Sequence, residues 1–176
     1  SCGVAAGAGK VYDKIKALQQ AENLDFELKK TSCVGMCYRE PLVEIVDESG
    51  TYLYGGINEE RAVELIDKHV NQHSPVRDYL VQSDLFETSD KSFTESQVKI
   101  VLRNCGYIDP ENITEYEARK GYEAIRSIAA KQIARSEVIQ TVLASGIRGR
   151  GGGGFPTGLK WKFANENKSP EKYIIC

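Results

Sequence analysis

The residues best suited to chemistry in this chain are glycines. The run Gly146-Ile147-Arg148-Gly149-Arg150-Gly151-Gly152-Gly153-Gly154-Phe155-Pro156-Thr157-Gly158-Leu159-Lys160-Trp161 contains four glycines in succession. They remove every β-carbon that would hold a ligand off the backbone, and they permit the positive φ angles that turn successive N–H groups toward one anion. No acidic residue occurs from Val138 to Asn165, whereas Arg148, Arg150, Lys160 and Lys162 are all basic, so the local field favours phosphate. Thr157 is placed to cap a short helix through about Ala164, which would set a helix N-terminus beside the glycines. Gly149, Gly151 and Gly154 satisfy G-x-G-x-x-G, but that fingerprint belongs between a strand and a helix, and here a helical pattern precedes it. An ordinary Rossmann turn is rejected and nucleotide phosphate kept as the ligand. A flexible glycine linker is the competing reading; the Phe-Pro and Leu-Lys-Trp anchors that follow argue against it.

The second available chemistry is that of thiols. Cys2, Cys33, Cys37, Cys105 and Cys176 are scattered and odd in number, which disfavours a disulfide framework; with no export signal, reduced cytoplasmic thiols are expected. Cys33-Val-Gly-Met-Cys37 has three intervening residues, unlike the two of thioredoxin-type redox motifs, and follows a strand pattern rather than opening a helix, so enzymatic thiol–disulfide exchange is disfavoured. Loop cysteines with a glycine between them suit a metal or an iron–sulfur cluster, where thiolates converge while N–H groups point at sulfur. Cys2 precedes the first helix and could face them. A [2Fe–2S] cluster needs four ligands, and three are present. Zinc is the weaker option, because no histidine is placed to complete the set; His69 and His73, on and just beyond a helix, are expected at the surface. Cys105 is read as a buried thiol without a partner.

These residues need elements to position them. Val11, Ile15 and Leu18 recur at helical spacing within Gly9 to Ala21. Leu24, Phe26 and Leu28 alternate as in a strand leading to the cysteine loop. Leu42 to Val46 and Tyr52 to Tyr54, separated by Asp47-Glu48-Ser49-Gly50, predict a hairpin, and Asn58 caps a helix through His69. Together these make a small α/β unit whose opening strand would precede Ser1. From about Asn71 to Thr94 polar residues dominate with no sustained period, read as a linker over 75–95. Beyond it Gln97 to Leu102 alternates like a strand, helices are expected near 112–119, 122–132 and 136–145, and Tyr173-Ile174-Ile175-Cys176 reads as a strand arriving at a site. Both ends have the character of cuts through a longer chain. Trp161 is expected to pack the short helix down.

Composition narrows the classes. Of 176 residues, 41% are hydrophobic and the net charge is −2, which excludes global disorder and generic polyanion binding. No stretch approaches the ~18 apolar residues of a membrane span. Residues 1–75 carry an acidic excess and 76–176 a small basic one, so the linker separates unlike halves.

The run Gly146 to Trp161 closely resembles the glycine-rich signature of the NADH-binding flavoprotein subunit of respiratory complex I and its relatives in NAD-dependent hydrogenases and formate dehydrogenases. Arg103-Asn104-Cys105-Gly106, Ile108-Asp109-Pro110 and Tyr173 to Cys176 also resemble that family, extending the resemblance over about residues 96–176. It implies that the loop binds FMN and NAD(H), with Gly149, Arg150, Gly151 and Lys160 on the phosphates and Phe155 stacked against the dinucleotide; Gly152, Gly153, Gly154, Thr157 and Gly158 complete the site. Gly153 departs from the alanine common in relatives, and Cys176 would lie beside the residues that hold FMN. The first half resembles the thioredoxin-like ferredoxin domain fused ahead of many bacterial relatives, with Cys2 in its first ligand pair and Cys33 and Cys37 as its second. The missing partner of Cys2 either precedes Ser1 or was lost together with the [2Fe–2S] cluster. A [4Fe–4S] cluster is expected only downstream.

The implied fold is α/β: a truncated thioredoxin-like domain over 1–74, the linker, and over 96–176 a mostly helical lead-in to an FMN/NADH-binding α/β domain. The implied activity is hydride transfer from NADH to FMN, then electron transfer to iron–sulfur centres, with the protein supplying placement. No catalytic acid or base is named. The expected partners are other electron-transfer subunits, without nucleic acid or direct membrane insertion, in the cytoplasm and membrane-associated through those subunits. The 176 residues alone are expected to oxidise no NADH. The competing functions are a non-catalytic nucleotide-phosphate or RNA-binding module and a thiol oxidoreductase.

Overall fold

Helical periodicity at Val11, Ile15 and Leu18 produces a 15-residue helix, α2 (Ala8–Glu22), that buries Val11 and Ile15 and stops where Asn23 turns left-handed at φ 52°. A short helix, α1 (Cys2–Ala5), precedes it. The computed structural model describes residues 2–88, 96–171 and 173, and the chain forms two compact units, residues 1–119 and 120–176. The expected strand ending at Cys176 lies outside the described residues, apart from Tyr173.

In the first unit the hairpin forms as expected. Asp47 Oδ1 accepts the N–H groups of Ser49 (2.8 Å) and Gly50 (3.1 Å), closing the turn between β1 (Val43–Asp47) and β2 (Gly50–Tyr54) with Ile45 opposite Tyr52. Asn58 Oδ1 accepts the Arg61 N–H at 2.9 Å and starts α3 (Glu59–Leu65). This helix runs on as a wider π-type turn over Ile66–Asn71. Part of the segment read as linker is ordered structure: β3 (Leu80–Ser83) pairs antiparallel with the free edge of β2, giving the order β1-β2-β3. The result is a mixed α/β unit with an antiparallel sheet.

Two expected strands do not form. Residues 24–30 are extended, with Leu24, Phe26 and Leu28 packed on the core, but they join no ladder among the described residues. Alternation specifies a half-buried face and says nothing about a partner edge, and both edges of β2 are taken by β1 and β3. Residues 97–102 are coil and turn, leaving Val98 and Val101 exposed.

The alternation along β2 sorts the core onto two faces of the sheet. Tyr52 and Tyr54 pack with Val11, Ile15, Ile57, Ala62, Leu65 and Ile66 of the helical layer. Leu53 packs with Val81 and with Met36 of the cysteine loop. The thiol loop is thereby seated on the sheet face opposite the helices. Asn112 starts α4 (Ile113–Ala118) by accepting the Thr114 N–H at 3.0 Å.

The second unit is helical where it is described: α5 (Glu123–Ala130), α6 (Arg135–Ala144) and α7 (Thr157–Glu166). α6 and α7 pack closely enough that a Cβ at Gly158 would lie 2.6 Å from the Leu143 backbone nitrogen. Only glycine admits that approach. The sequence assigned the anchoring of α7 to Trp161, yet Trp161 is 47% exposed; the missing side chain of Gly158 sets the docking instead. No helix among the described residues is long and apolar enough to cross a membrane.

Candidate functional site

The glycine loop joins α6 to α7 and is strapped at its base. Gly149 N–H donates to Phe155 O at 2.8 Å, Thr157 N–H donates to Ile147 O at 3.0 Å, and Arg148 pairs with Pro156 in an isolated antiparallel bridge. The Arg148 guanidinium reaches across to the Gly154 carbonyl at 3.1 Å. Sequence marks this arginine only as part of the basic field; in the structure it closes the loop. Thr157 is not the cap. Pro156, with extended backbone at ψ 118°, takes the cap position, and Thr157 is the first helical residue, its N–H used in the strap.

Above the strap the backbone is open. Nothing lies within 4 Å of a Cβ built at Gly151, Gly152, Gly153 or Gly154, and Gly152 and Gly154 hold φ of 112° and 59°. The N–H groups of these four residues make no hydrogen bond among the described residues. The side chains of Arg150 and Lys160 likewise have no partner there, whereas Lys162 reaches Glu166 at 4.0 Å. Phe155 is 49% exposed at the loop's closing end. Unspent donors, two free cations and a half-exposed aromatic ring make a concentrated set of groups for a phosphorylated, ring-bearing ligand.

The thiol loop is built differently. Cys33 and Cys37 bring their sulfurs to 3.8 Å, and Gly35 N–H donates to Cys33 Sγ at 3.3 Å. The Glu40 carboxylate is hydrogen-bonded to Cys33 and accepts Leu42 N–H at 3.2 Å. Burial pushes the Cys33 thiol up to about 11; Glu40 and Cys37 add to this and the Gly35 N–H opposes it. Met36 is buried against Leu53 and Val81, and the Lys99 ammonium caps the Val34 carbonyl at 3.2 Å. A Cβ at Gly106 would lie 2.7 Å from Val34 Cγ1, so the turn carrying Cys105 abuts this loop. Cys2 lies on α1, whose Gly3 backs tightly onto the same Glu40 carboxylate: a Cβ there would lie 3.0 Å from Glu40 Oε2. Among the described residues no three of His, Cys, Asp and Glu are gathered tightly enough to hold a metal ion. The structure therefore unites Cys33 with Cys37 and leaves Cys2 nearby but outside the pair.

His69, expected at the surface, is 1% exposed. The Tyr54 hydroxyl accepts the Val76 N–H and lies 2.6 Å from His69 Nδ1, to which it donates when the Nε2 side of a neutral imidazole carries the proton. The Asp47 carboxylate can only accept, which sets that tautomer: Nε2–H donates to Asp47 Oδ2 at 3.2 Å. Burial is the main cause that raises Tyr54 to about 12, and the Ser49 hydroxyl, Asp47's strongest partner, holds that carboxyl at about 2. This network ties the end of the α3 segment to the hairpin turn. His73 is exposed, as expected.

Known proteins share parts of this chain. No protein-family profile matches it. It is 48% identical over 82 residues to the NADP-reducing hydrogenase subunit HndC of Solidesulfovibrio fructosivorans, which covers 47% of this chain and 16% of that one. It is 40% identical over 77 residues to an NADH-quinone oxidoreductase subunit of Rhizobium meliloti, 44% of this chain and 18% of the relative. The chain is similar to these subunits over somewhat less than half of its length. A third similarity runs through most of it: 28% identity over 153 residues, 86% of this chain and 23% of the relative, to the NAD-reducing hydrogenase HoxS subunit alpha of Cupriavidus necator. The family resemblance expected from the sequence is thereby borne out, and the chain spans less than a quarter of the length of each of these relatives.

Proposed function

We propose that the chain forms the phosphate-gripping part of an NADH-oxidising flavoprotein subunit, preceded by an iron–sulfur unit of thioredoxin-like descent over residues 1–74. The observation that carries this reading is the row of unpartnered N–H groups from Gly151 to Gly154 above the Arg148 strap. FMN and NAD(H) both present phosphate and a flat ring, and the loop offers donors, Arg150, Lys160 and Phe155 to match. Bound there, the flavin supplies acceptance of hydride from NADH and release of electrons one at a time. The chain's own residues hold phosphate and orient the ring. Gly158 fixes the separation of α6 and α7 at which they do so, and Thr157 closes the base.

The cysteine geometry supports the second element. Two sulfurs bound at ~2.3 Å to one tetrahedral metal stand about 3.8 Å apart, and Cys33 and Cys37 are at that separation. They would share one iron of a [2Fe–2S] cluster, with Cys2 directed to the other. Electrons would pass onward to other subunits of a multi-subunit complex.

Trp161, the single tryptophan, lies in the helix that begins at the loop and reports on ligand there. Titrating FMN into the chain should quench its fluorescence saturably, and NADH should alter the titration. Binding of an RNA oligonucleotide with no response to FMN would replace this reading by a non-redox module. NADH–ferricyanide turnover should be absent from the 176 residues alone, since the flavin grip is expected to be shared with residues beyond them; turnover would mean that the active centre is complete within them.

A further inference from the structure

The cysteine loop has a property independent of any metal. Cys37 is exposed and Cys33 half-buried, their sulfurs face each other at 3.8 Å, and a carboxylate from Glu40 sits on the Cys33 thiol. A disulfide bond is ~2.05 Å long, so closure needs less than 2 Å of approach. Gly35, between the two thiols, faces open space, with nothing within 4 Å of a Cβ built there and φ at 99°. Met36 and Val34 meanwhile anchor the loop to the sheet and to the Gly106 turn. Two thiols held this close, one reachable and one shielded, have the asymmetry that exchange chemistry uses.

We propose that Cys33 and Cys37 close to a reversible disulfide on reaction with a low-molecular-weight disulfide such as glutathione disulfide, giving the loop a dithiol state open to metal and a disulfide state closed to it. In the first step the exposed Cys37 sulfur attacks glutathione disulfide. A Cys37–glutathione bond forms, the glutathione S–S bond breaks, and the Cys37 proton leaves on the first glutathione thiol. In the second step Cys33 Sγ attacks Cys37 Sγ, a Cys33–Cys37 bond forms and the Cys37–glutathione bond breaks; the Cys33 proton passes through solvent to the departing second glutathione. One molecule of glutathione disulfide is reduced to two thiols while two cysteine thiols are oxidised, so atoms and electrons balance. This is a two-state loop and not an enzyme turning over disulfide substrates. It goes beyond the flavoprotein reading and survives if that reading fails.

The sequence supplies a convenient assay. Trypsin cuts after Lys30 and Arg39, so Thr31–Arg39 carries both thiols in one peptide. The 176-residue chain, reduced, treated with a chelator and desalted without oxygen, is incubated with glutathione disulfide in roughly tenfold excess, alkylated and digested. The expected result is loss of two hydrogens from Thr31–Arg39, no alkylation of it, and full recovery of both thiols with a dithiol reductant. The Cys33→Ser chain should stop with one glutathione on Cys37. Three outcomes overturn the proposal: both thiols remain alkylatable, wild-type Cys37 keeps a stable glutathione, or either cysteine is joined to Cys2, Cys105 or Cys176. Iron and sulfide reconstitution of the reduced and oxidised chains is a separate measurement. Loading of both equally would overturn the two-state loop, whereas loading of neither, with the peptide disulfide present, would count against the iron–sulfur reading alone.

Discussion

The thiol loop and the glycine loop, the two proposed sites, differ in how much of their geometry is fixed in the free chain. Around Cys33 and Cys37 polar and apolar contacts come from Gly35, Glu40, Leu53, Val81, Lys99 and Gly106, so the two sulfurs are brought close together before anything binds. Around Gly151 to Gly154 the fixed points among the described residues are at the base, through Gly149, Thr157 and Arg148. There the donors are left unspent, and the ligand must complete the geometry. A soft-metal site demands distances, because thiolates bound to one metal tolerate little error. A phosphate site needs a surplus of N–H groups, because an oxyanion accepts from many directions.

The sharpest way to test that contrast is to attack the glycine loop's base. Gly158→Leu would drive its Cβ into the backbone of Leu143, which cannot rotate away as a side chain would. Overpacking of this kind costs ~3 kcal/mol or more. Far-ultraviolet circular dichroism should show lost helix and FMN should no longer quench Trp161, while the thiols of Cys33 and Cys37 keep their reactivity.

The converse damage is made at His69. His69→Leu leaves the buried Tyr54 hydroxyl without its acceptor and removes one of the bonds to Asp47 in the first unit, a loss of ~1–3 kcal/mol. Thermal unfolding of that unit should move down on the order of 10 °C, with phosphate-ligand binding at the glycine loop unchanged. An unmoved transition would mean that the hairpin does not depend on its tie to the α3 segment.

Lys160→Ala isolates ligand energy from folding energy. It removes a charge with no partner among the described residues, so stability should stay within ~0.5 kcal/mol, while on the proposed function FMN or NADH affinity drops roughly ten- to a hundredfold through loss of one charge-assisted contact. Unchanged affinity for both ligands removes Lys160 from the site.

Acid should distinguish the two units more gently. Asp47 has its folded pKa lowered from 3.8 to about 2. Its contribution is therefore complete above about pH 4 and lost as the pH falls from there through about 2. Because this carboxylate is largely open to solvent, screening holds the contribution below ~1 kcal/mol. In Asp47→Asn the stability of the first unit should be lower near neutrality and flatter between pH 4 and 2. A slope identical to wild type would show that the His69 and Ser49 bonds do not discriminate between protonation states.

The smallest effect is expected at Gly153→Ala, where no atom lies within 4 Å and the backbone is not left-handed. Stability should change by less than ~0.5 kcal/mol. Gly152→Ala, at φ 112°, should cost ~1 kcal/mol. Calorimetry on the pair tests whether the loop's conformation is fixed in advance at one glycine and free at the next.

Much of this was legible in the chain because local chemistry decided it. The Asp47 turn, the Asn58 and Asn112 caps and the helices flanking the glycine run all follow from residues within a few positions of one another. What escaped depends on partners far along the sequence. β3 hides in a polar stretch because only Leu80 and Val81 mark it, and a strand this short takes its identity from the free edge of β2. His69 is buried against expectation although it falls at the interval of Ala62, Leu65 and Ile66 on the inward face; its polarity points outward, and the two partners that make burial tolerable lie 15 and 22 residues away. Residues 24–30 alternate correctly and still form no strand, since periodicity reports a face and never an edge. The glycine loop's composition announced a phosphate site, but the inward use of Arg148 is a matter of loop closure that spacing does not reveal.

β2 is a wall one residue thick with a different lining on each side. Tyr52 and Tyr54 belong to the helical core, Leu53 to the layer under the cysteines, and both edges of the strand are paired. Its amide hydrogens therefore cannot reach solvent by loosening one layer alone. Deuterium should enter Leu53 and Tyr54 only at the rate of whole-unit unfolding, which makes this strand the internal clock against which every partial opening of the first unit is timed.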